Sequence, residues 1–453
     1  MKLLEYNLTH PYPHGKIFTI TTVVLIVLVL PVLILVNVVT VGYELVPSLQ
    51  PEFEPNNTVP SWWNVPYLPR LLRREAPSCE PKDIGRGDTF RLTSSLFEYK
   101  VMSSWNTTSE NPTSRDEGRI PYLGGSFDQC YVDNMVFDFN LGTSIQSLKV
   151  AIECPEALVR VFMETRVDFA FIRQDDYIGR YYGYTVNELD FIDRGSRDYR
   201  QSVFAVFDIM STDSLGILQG EHTDETIFAF TVGASFPTND GILAEVTSVR
   251  YSNGTLKLYG NDSLGEIEIY RSTISNIMHA VEHAVELDLG YYSSYNIFIN
   301  SSAVNSTFSP NLPPPSVNAS MWSNRTSFSY GRIVPPYRTW AEMLRAGMPQ
   351  NITLGGLTGF PPNSKMSTNY LCPTYQLKQM GSFLTSIFVG TATMFLSVWA
   401  AWTFVSAILA RYLKKPCFQC TCDPTNLDPE KAGGQDVSTS VSPRPSTPSQ
   451  TLA

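Results

Sequence analysis

Two stretches of the chain run without a single charged side chain. The first covers residues 17–41, and its centre, Val23 to Val36, carries no polar group at all. The second covers residues 383–410 and is equally uncharged. A helix of about 20 apolar residues crosses a bilayer core, so both stretches predict membrane spans. Pro31 stands in the middle of the first, where a membrane helix tolerates the missing donor as a kink, and Asn37 is its one strongly polar residue near the outer end. The second is sprinkled with small and hydroxylated residues, among them Thr385, Ser386, Gly390, Thr391, Thr393 and Ser397. Ser386 and Gly390 form a small-xxx-small pair, the pattern of a helix that packs closely on the first span or on a membrane partner.

Between the spans the pattern changes from continuous to alternating. Short runs rich in β-branched and aromatic residues recur from Thr89 to Ile299: TFRLTSSLFEYKV, MVFDFNL, SLKVAIEC, VRVFMETRVDFAFI, SVFAVFDIM, TIFAFTVGASF, ILAEVTSVRY, TLKLYG and EIEIY. Gly, Asn, Asp or Pro separates them, and Asn253-Gly254 is a hairpin signal between two of them. One clear amphipathic helix is expected at 272–289, because Ile274, Ile277, Met278, Val281, Val285 and Leu289 recur at helical spacing and Gly290 stops the pattern. A short helix is expected near 339–346. The fold predicted is two transmembrane α-helices flanking a mainly-β (α+β) extracytosolic domain of one or two β-sandwich-like modules.

These patterns divide the chain into a cytosolic N-terminus (1–16), a signal-anchor span (17–41) and a Pro-rich stalk (42–78). A β-rich domain (79–307) follows, then a Pro/Asn-rich glycosylated segment (308–380), the second span (383–410) and a cytosolic tail (411–453) whose composition predicts disorder. The first span reads as uncleaved: it is long, and bulky VVTVGYELV follows it instead of a small-residue cleavage site. Lys2 and Lys16 precede the first span, acidic Glu44, Glu52 and Glu54 follow it, and Arg411, Lys414 and Lys415 follow the second. The excess of basic residues orients both termini to the cytosol.

Cysteine and asparagine fit that orientation. Cys79, Cys130, Cys154 and Cys372, an even set, lie between the spans and predict two disulfides in an oxidising compartment. Three connectivities are open; Cys130 with Cys154, and Cys79 with Cys372, is the favoured one. Nine sequons lie in the same region, at Asn56, Asn106, Asn253, Asn261, Asn300, Asn305, Asn318, Asn324 and Asn351. A tenth, Asn7, precedes the first span and is expected to stay unmodified. Cys417, Cys420 and Cys422 follow the second span beside Lys414 and Lys415 and are candidates for palmitoylation.

Composition narrows the function classes. The net charge is −10, with 33 Lys and Arg against 43 Asp and Glu, and nothing in it resembles a nucleic-acid surface. Neither span contains an ionisable residue, which disfavours an ion pathway or proton relay within them. Arg73-Arg74, in the stalk, resembles a dibasic processing site, though solvated stalk charges are the favoured reading.

The sharpest chemical motif is His279-Ala280-Val281-Glu282-His283, an H-x-x-E-H pattern in which two His one turn apart share a zinc and a Glu serves as base. The helical stripe centres on Val281 and Val285, so His279 and His283 are expected on the wet side, with Glu282 and Glu286 beside them. No cofactor is expected.

The phrases YNLTHPYP before the first span, GYELVP just after it and AVELDLG at the end of the helix resemble fungal two-span membrane proteins with no assigned function. The resemblance brings no catalytic residues with it. The layout, two short cytosolic ends around one glycosylated, disulfide-bonded domain, is also that of flippase accessory subunits and scavenger receptors, a topological analogy alone. The function expected is therefore a non-enzymatic membrane glycoprotein of the secretory pathway or cell surface that binds, scaffolds or serves as an accessory subunit. Its partners would be the bilayer and a membrane protein held through the second span. The alternative is a membrane-tethered, metal-dependent hydrolase using His279, Glu282 and His283.

Overall fold

The computed structural model describes residues 15–53, 78–105, 119–143, 145–155, 160–170, 197–219, 227–236, 243–259, 265–310, 326–327, 331–348 and 352–412. These fall into two compact units: one formed by the two terminal helices, the other by Tyr43–Lys378. Asn7, Asn56, Asn106, Asn261, Asn318, Asn324, Asn351, Arg73, Arg74, Cys417, Cys420 and Cys422 lie outside the described residues.

The helical unit consists of α1 (Gly15–Val41) and a long C-terminal helix, α5 (Met380–Tyr412). Both are long and apolar enough to cross a membrane. At about 1.5 Å per residue they measure about 40 and 50 Å. They pack against each other through polar and small residues. Asn37 is fully buried; its Nδ2 donates to the Leu33 carbonyl at 2.9 Å within α1 and to Thr391 Oγ1 of α5 at 3.3 Å. Gly390 is what lets Asn37 in: a Cβ there would stand 2.5 Å from Asn37 Oδ1 and 3.1 Å from its Cγ. Elsewhere along the pair, Trp402 donates its indole N–H to Thr22 Oγ1 at 3.3 Å and stacks on Phe18. The small-residue character of the second helix thus serves contact with α1, through Gly390 and Thr391.

The other unit is sheet-rich. Its strands are β1 (Tyr43–Gln50), β2 (Lys82–Ile84), β3 (Thr89–Arg91), β4 (Glu98–Trp105), β5 (Ile120–Tyr122), β6 (Tyr131–Asn140) and β7 (Ile145–Cys154). They continue with β8 (Arg160–Ala170), β9 (Ile227–Ser235), β10 (Leu243–Tyr251), β11 (Leu256–Leu258), β12 (Thr326–Ser327), β13 (Gly331–Arg332) and β14 (Tyr370–Leu377). Eight of them form one antiparallel sheet in the order β11-β10-β9-β6-β7-β8-β4-β3. The Asn253-Gly254 turn joins β10 to β11, with Gly254 at φ +88° as such a tight turn requires. The remaining strands pair as β2–β5, β12–β13 and β1–β14.

Where one or two sandwich-like modules were expected, the described residues show one large eight-stranded sheet backed by helices. Met135, Phe137 and Phe139 of β6 and Leu148, Val150 and Ile152 of β7 are buried on one face, while Asn134, Val136 and Asp138 alternate on the more open one. Against the buried face packs α2 (Tyr199–Gln219), whose Phe207 meets Phe169 edge-on at 5.6 Å. The segment SVFAVFDIM, expected as a strand, lies inside this helix. Its residues are buried on nearly every side, so the 3.6-residue stripe that identifies a surface helix is missing, and Val and Phe bias the reading to β. Burying each such side chain contributes about 1.5–3 kcal/mol. EIEIY likewise forms no strand but a 3₁₀ turn, Gly265–Tyr270. It leads into α3 (Arg271–Leu289), which packs on α2 and β6 and ends at Gly290, φ +89°. A last short helix, α4 (Trp340–Arg345), is capped by Thr339 and by buried Asp213, whose two carboxylate oxygens accept from the Trp340 and Ala341 amides at 2.8 Å. Trp340, Phe308 and Cys372 belong to the same core as the sheet, so the folded core continues well past residue 307.

The stalk expectation is overturned where it meets β1. Proline density argued against sheet there, yet Tyr43–Gln50 pairs along its whole length with β14. The conflict resolves because Pro47 lies directly opposite Pro373. Each strand of a two-stranded ribbon has an outer edge that faces no ladder partner, and a proline whose nitrogen points to that edge forfeits no ladder bond.

Candidate functional site

The polar residues of α3 form a seam along an otherwise buried helix. His279 Nδ1 lies 2.8 Å from Glu282 Oε2, and the rings of His279 and His283 are 6.2 Å apart. Potential ligand atoms of His279, Glu282 and His283 all fall within 4.8 Å of one another. The motif residues do converge, but not on the open face expected of them. His279, Glu282, His283 and Glu286 are all half-buried, and the segment after the helix doubles back over His283 and Glu286. Asn296 donates from Nδ2 to the His283 carbonyl at 2.7 Å, and the Ile297 amide donates to His283 Nδ1 at 3.2 Å.

That last bond decides what the seam can do. A neutral imidazole has one lone pair to give. In His283 it sits on Nδ1 and is taken by the Ile297 amide, which leaves the hydrogen on Nε2. A metal could use His283 only by displacing that backbone bond, so the cluster fits zinc poorly. The surroundings instead disfavour charge on two of its groups, His283 and Glu286. Burial, helped by the charge of His279, pushes the His283 pKa down to about 3. Burial, with the neighbouring Glu282 charge, pushes Glu286 up to about 7 against a hydrogen bond from Asn296.

One turn further on, Asp288 ties the end of α3 to the loop between β3 and β4. It is fully buried and accepts from Ser94 Oγ, from the Leu96 amide at 3.0 Å and from Tyr99 OH at 2.7 Å. Burial raises its pKa to about 6, and the donors from Ser94, Tyr99 and the Leu96 and Phe97 amides oppose that rise. Burial beside Asp288 raises Tyr99 well above the usual phenol range. Ser364 Oγ donates to the Asp288 carbonyl at 2.7 Å. Nothing in the sequence joins residues 94–99, 288 and 364; only their buried partners reveal the set.

The remaining candidates divide. The four cysteines between the helices are joined as Cys79–Cys372 and Cys130–Cys154. Of the sequons among the described residues, Asn253 and Asn305 are exposed. Asn300 is half-buried and engaged as a cap: its Oδ1 accepts from Ser302 N at 3.1 Å and its Nδ2 donates to the Ser294 carbonyl at 3.0 Å.

No protein-family model, curated protein sequence or solved structure matches the chain.

Proposed function

We infer that the chain is an integral membrane glycoprotein whose α1 and α5 cross the bilayer as a pair, with both termini in the cytosol. On this reading the Tyr43–Lys378 unit lies in the secretory lumen or outside the cell, carries glycans, and binds or scaffolds without catalysis. The observation that carries the reading is the bracketing of a unit with two disulfides, Cys79–Cys372 and Cys130–Cys154, by two helices long and apolar enough to cross a membrane. Disulfides of that kind belong to oxidising compartments, and the apolar exteriors of the helices need lipid or an equally apolar cover.

Within this class the accessory-subunit version predicts co-purification of one stoichiometric membrane protein in mild detergent. A monodisperse monomer would leave the chain as a free-standing surface protein. The alternative, a tethered zinc hydrolase, draws support from the convergence of His279, Glu282 and His283 and is weakened by the Ile297–His283 bond. Near-stoichiometric zinc in the purified protein, lost on substituting both histidines, would revive it.

A further inference from the structure

We propose that the outward side of the β1–β14 ribbon rests on the lipid surface, an inference that builds on the membrane reading above. Opposed residues of an antiparallel pair project to the same side. Leu45–Tyr375, Leu49–Leu371 and Tyr43–Leu377 therefore share one side with the Pro47–Pro373 pair, and that side holds no charged or hydrogen-bonding side chain beyond the two phenols. The other side carries Ser48, Cys372 and Thr374. The burial is the reverse of what a water-bathed ribbon adopts. Cys372 and Thr374 are buried, while Leu45 is 51% exposed, Leu49 67%, Leu371 40% and Leu377 50%.

Connectivity says which surface is close. β1 begins at Tyr43, two residues beyond the end of α1 at Val41, and β14 ends at Leu377, three residues before α5 starts at Met380. At about 3.3–3.6 Å per residue, Tyr43 and Leu377 lie within about 11 Å of the helix ends. Both strands are thus tethered beside the membrane by the same end of the ribbon. Helices of about 40 and 50 Å outrun a hydrocarbon core of about 30 Å, so their ends emerge among the headgroups. Tyr43 and Tyr375 suit that zone, where tyrosine presents an apolar ring and a wet hydroxyl.

A second copy of the chain is the weaker occupant. A stable protein interface takes about 20–30 residues a side, and this side of the ribbon offers eight.

The test places the photoreactive residue benzoylphenylalanine at Leu49 of the full-length protein in phosphatidylcholine vesicles. Two controls carry it at Leu258, a 73% exposed position on β11, and at Leu396, a 64% exposed position on α5. The expected result is phospholipid adducts at Leu49 at least fivefold above those at Leu258, with Leu396 labelled strongly. Labelling at Leu396 with Leu49 no higher than Leu258 overturns the ribbon proposal and leaves the membrane reading standing; absence of lipid adducts at Leu396 brings down both. A crosslinked dimer as the main Leu49 product assigns the face to a second copy and also overturns the proposal. A Leu49→Asp/Leu371→Asp double variant sets two carboxylates on the same side. With Cys79–Cys372 intact by non-reducing mobility, it should cut the adducts, read from the probe at Leu45, at least fivefold; an unchanged yield there contradicts docking through the apolar side.

Discussion

Glu286→Gln and His283→Gln should tilt the pH dependence of stability in opposite directions. Glu286 has its folded pKa raised from 4.5 to about 7. Its favourable contribution is complete below pH 4.5 and is lost as the pH rises through about 7, because the native seam must then hold a carboxylate. The full shift corresponds to about 3 kcal/mol at 1.36 kcal/mol per unit, and the side chain's residual contact with water lowers that to about 1–3 kcal/mol. His283 runs the other way. Its pKa falls from 6.5 to about 3, so its contribution is complete above pH 6.5 and is lost on acidification. Between pH 7.5 and 5 that loss amounts to about 2 kcal/mol. The two groups, one turn apart on α3, offset each other in the wild type, with Asp288 adding to the Glu286 side between pH 4 and 6. Denaturant titrations or pulse proteolysis of the full-length protein in mild detergent, run from pH 5 to 8, separate them. Relative to wild type, Glu286→Gln should lose about 1–3 kcal/mol on going from pH 8 to 5, and His283→Gln should gain about 2 kcal/mol. Three parallel profiles would refute the burial argument for the seam, since they would mean that neither group changes its protonation on folding.

Three further outcomes follow from the packing. Gly390→Leu should weaken the α1–α5 pair by about 1–2 kcal/mol in detergent unfolding, and Asn37→Ala should absorb most of that penalty in a double-mutant cycle. Tyr99→Phe leaves Asp288 one donor short in a buried site and should cost about 1–3 kcal/mol in the same assay, with an upward shift of the Asp288 titration. Replacing Cys130 and Cys154 by Ala opens a loop of 24 residues and should cost about 3 kcal/mol, whereas the same change at Cys79 and Cys372 opens one of 293 and should cost about 5–6 kcal/mol by the chain-entropy relation.

The features legible in the sequence were those with a local cause. Uncharged runs marked α1 and α5, the spacing of Ile274 to Leu289 with Gly290 behind it marked α3, and Asn253-Gly254 marked the β10–β11 hairpin. What escaped depended on neighbours distant in the chain. The α2 segment hides its period because sheet and helix bury it from all sides. The His face of α3 read as wet because nothing local announces that Asn296 and Ile297 return to cover it. β1 looked like the start of a stalk because proline is judged residue by residue, whereas Pro47 and Pro373 are accommodated as a pair. The Asp288 cluster gathers residues 94, 96, 99 and 288, and no spacing rule connects them.

The central claim, a glycosylated unit held outside the cytosol between two spans, is tested most directly by glycosidase treatment of membranes with and without protease on the cytosolic side. The account predicts a large mobility shift on deglycosylation and a fragment containing residues 43–378 that survives the protease. A chain that shows no shift and loses that region to the protease would place the unit in the cytosol and contradict the orientation, the glycans and the oxidising compartment together.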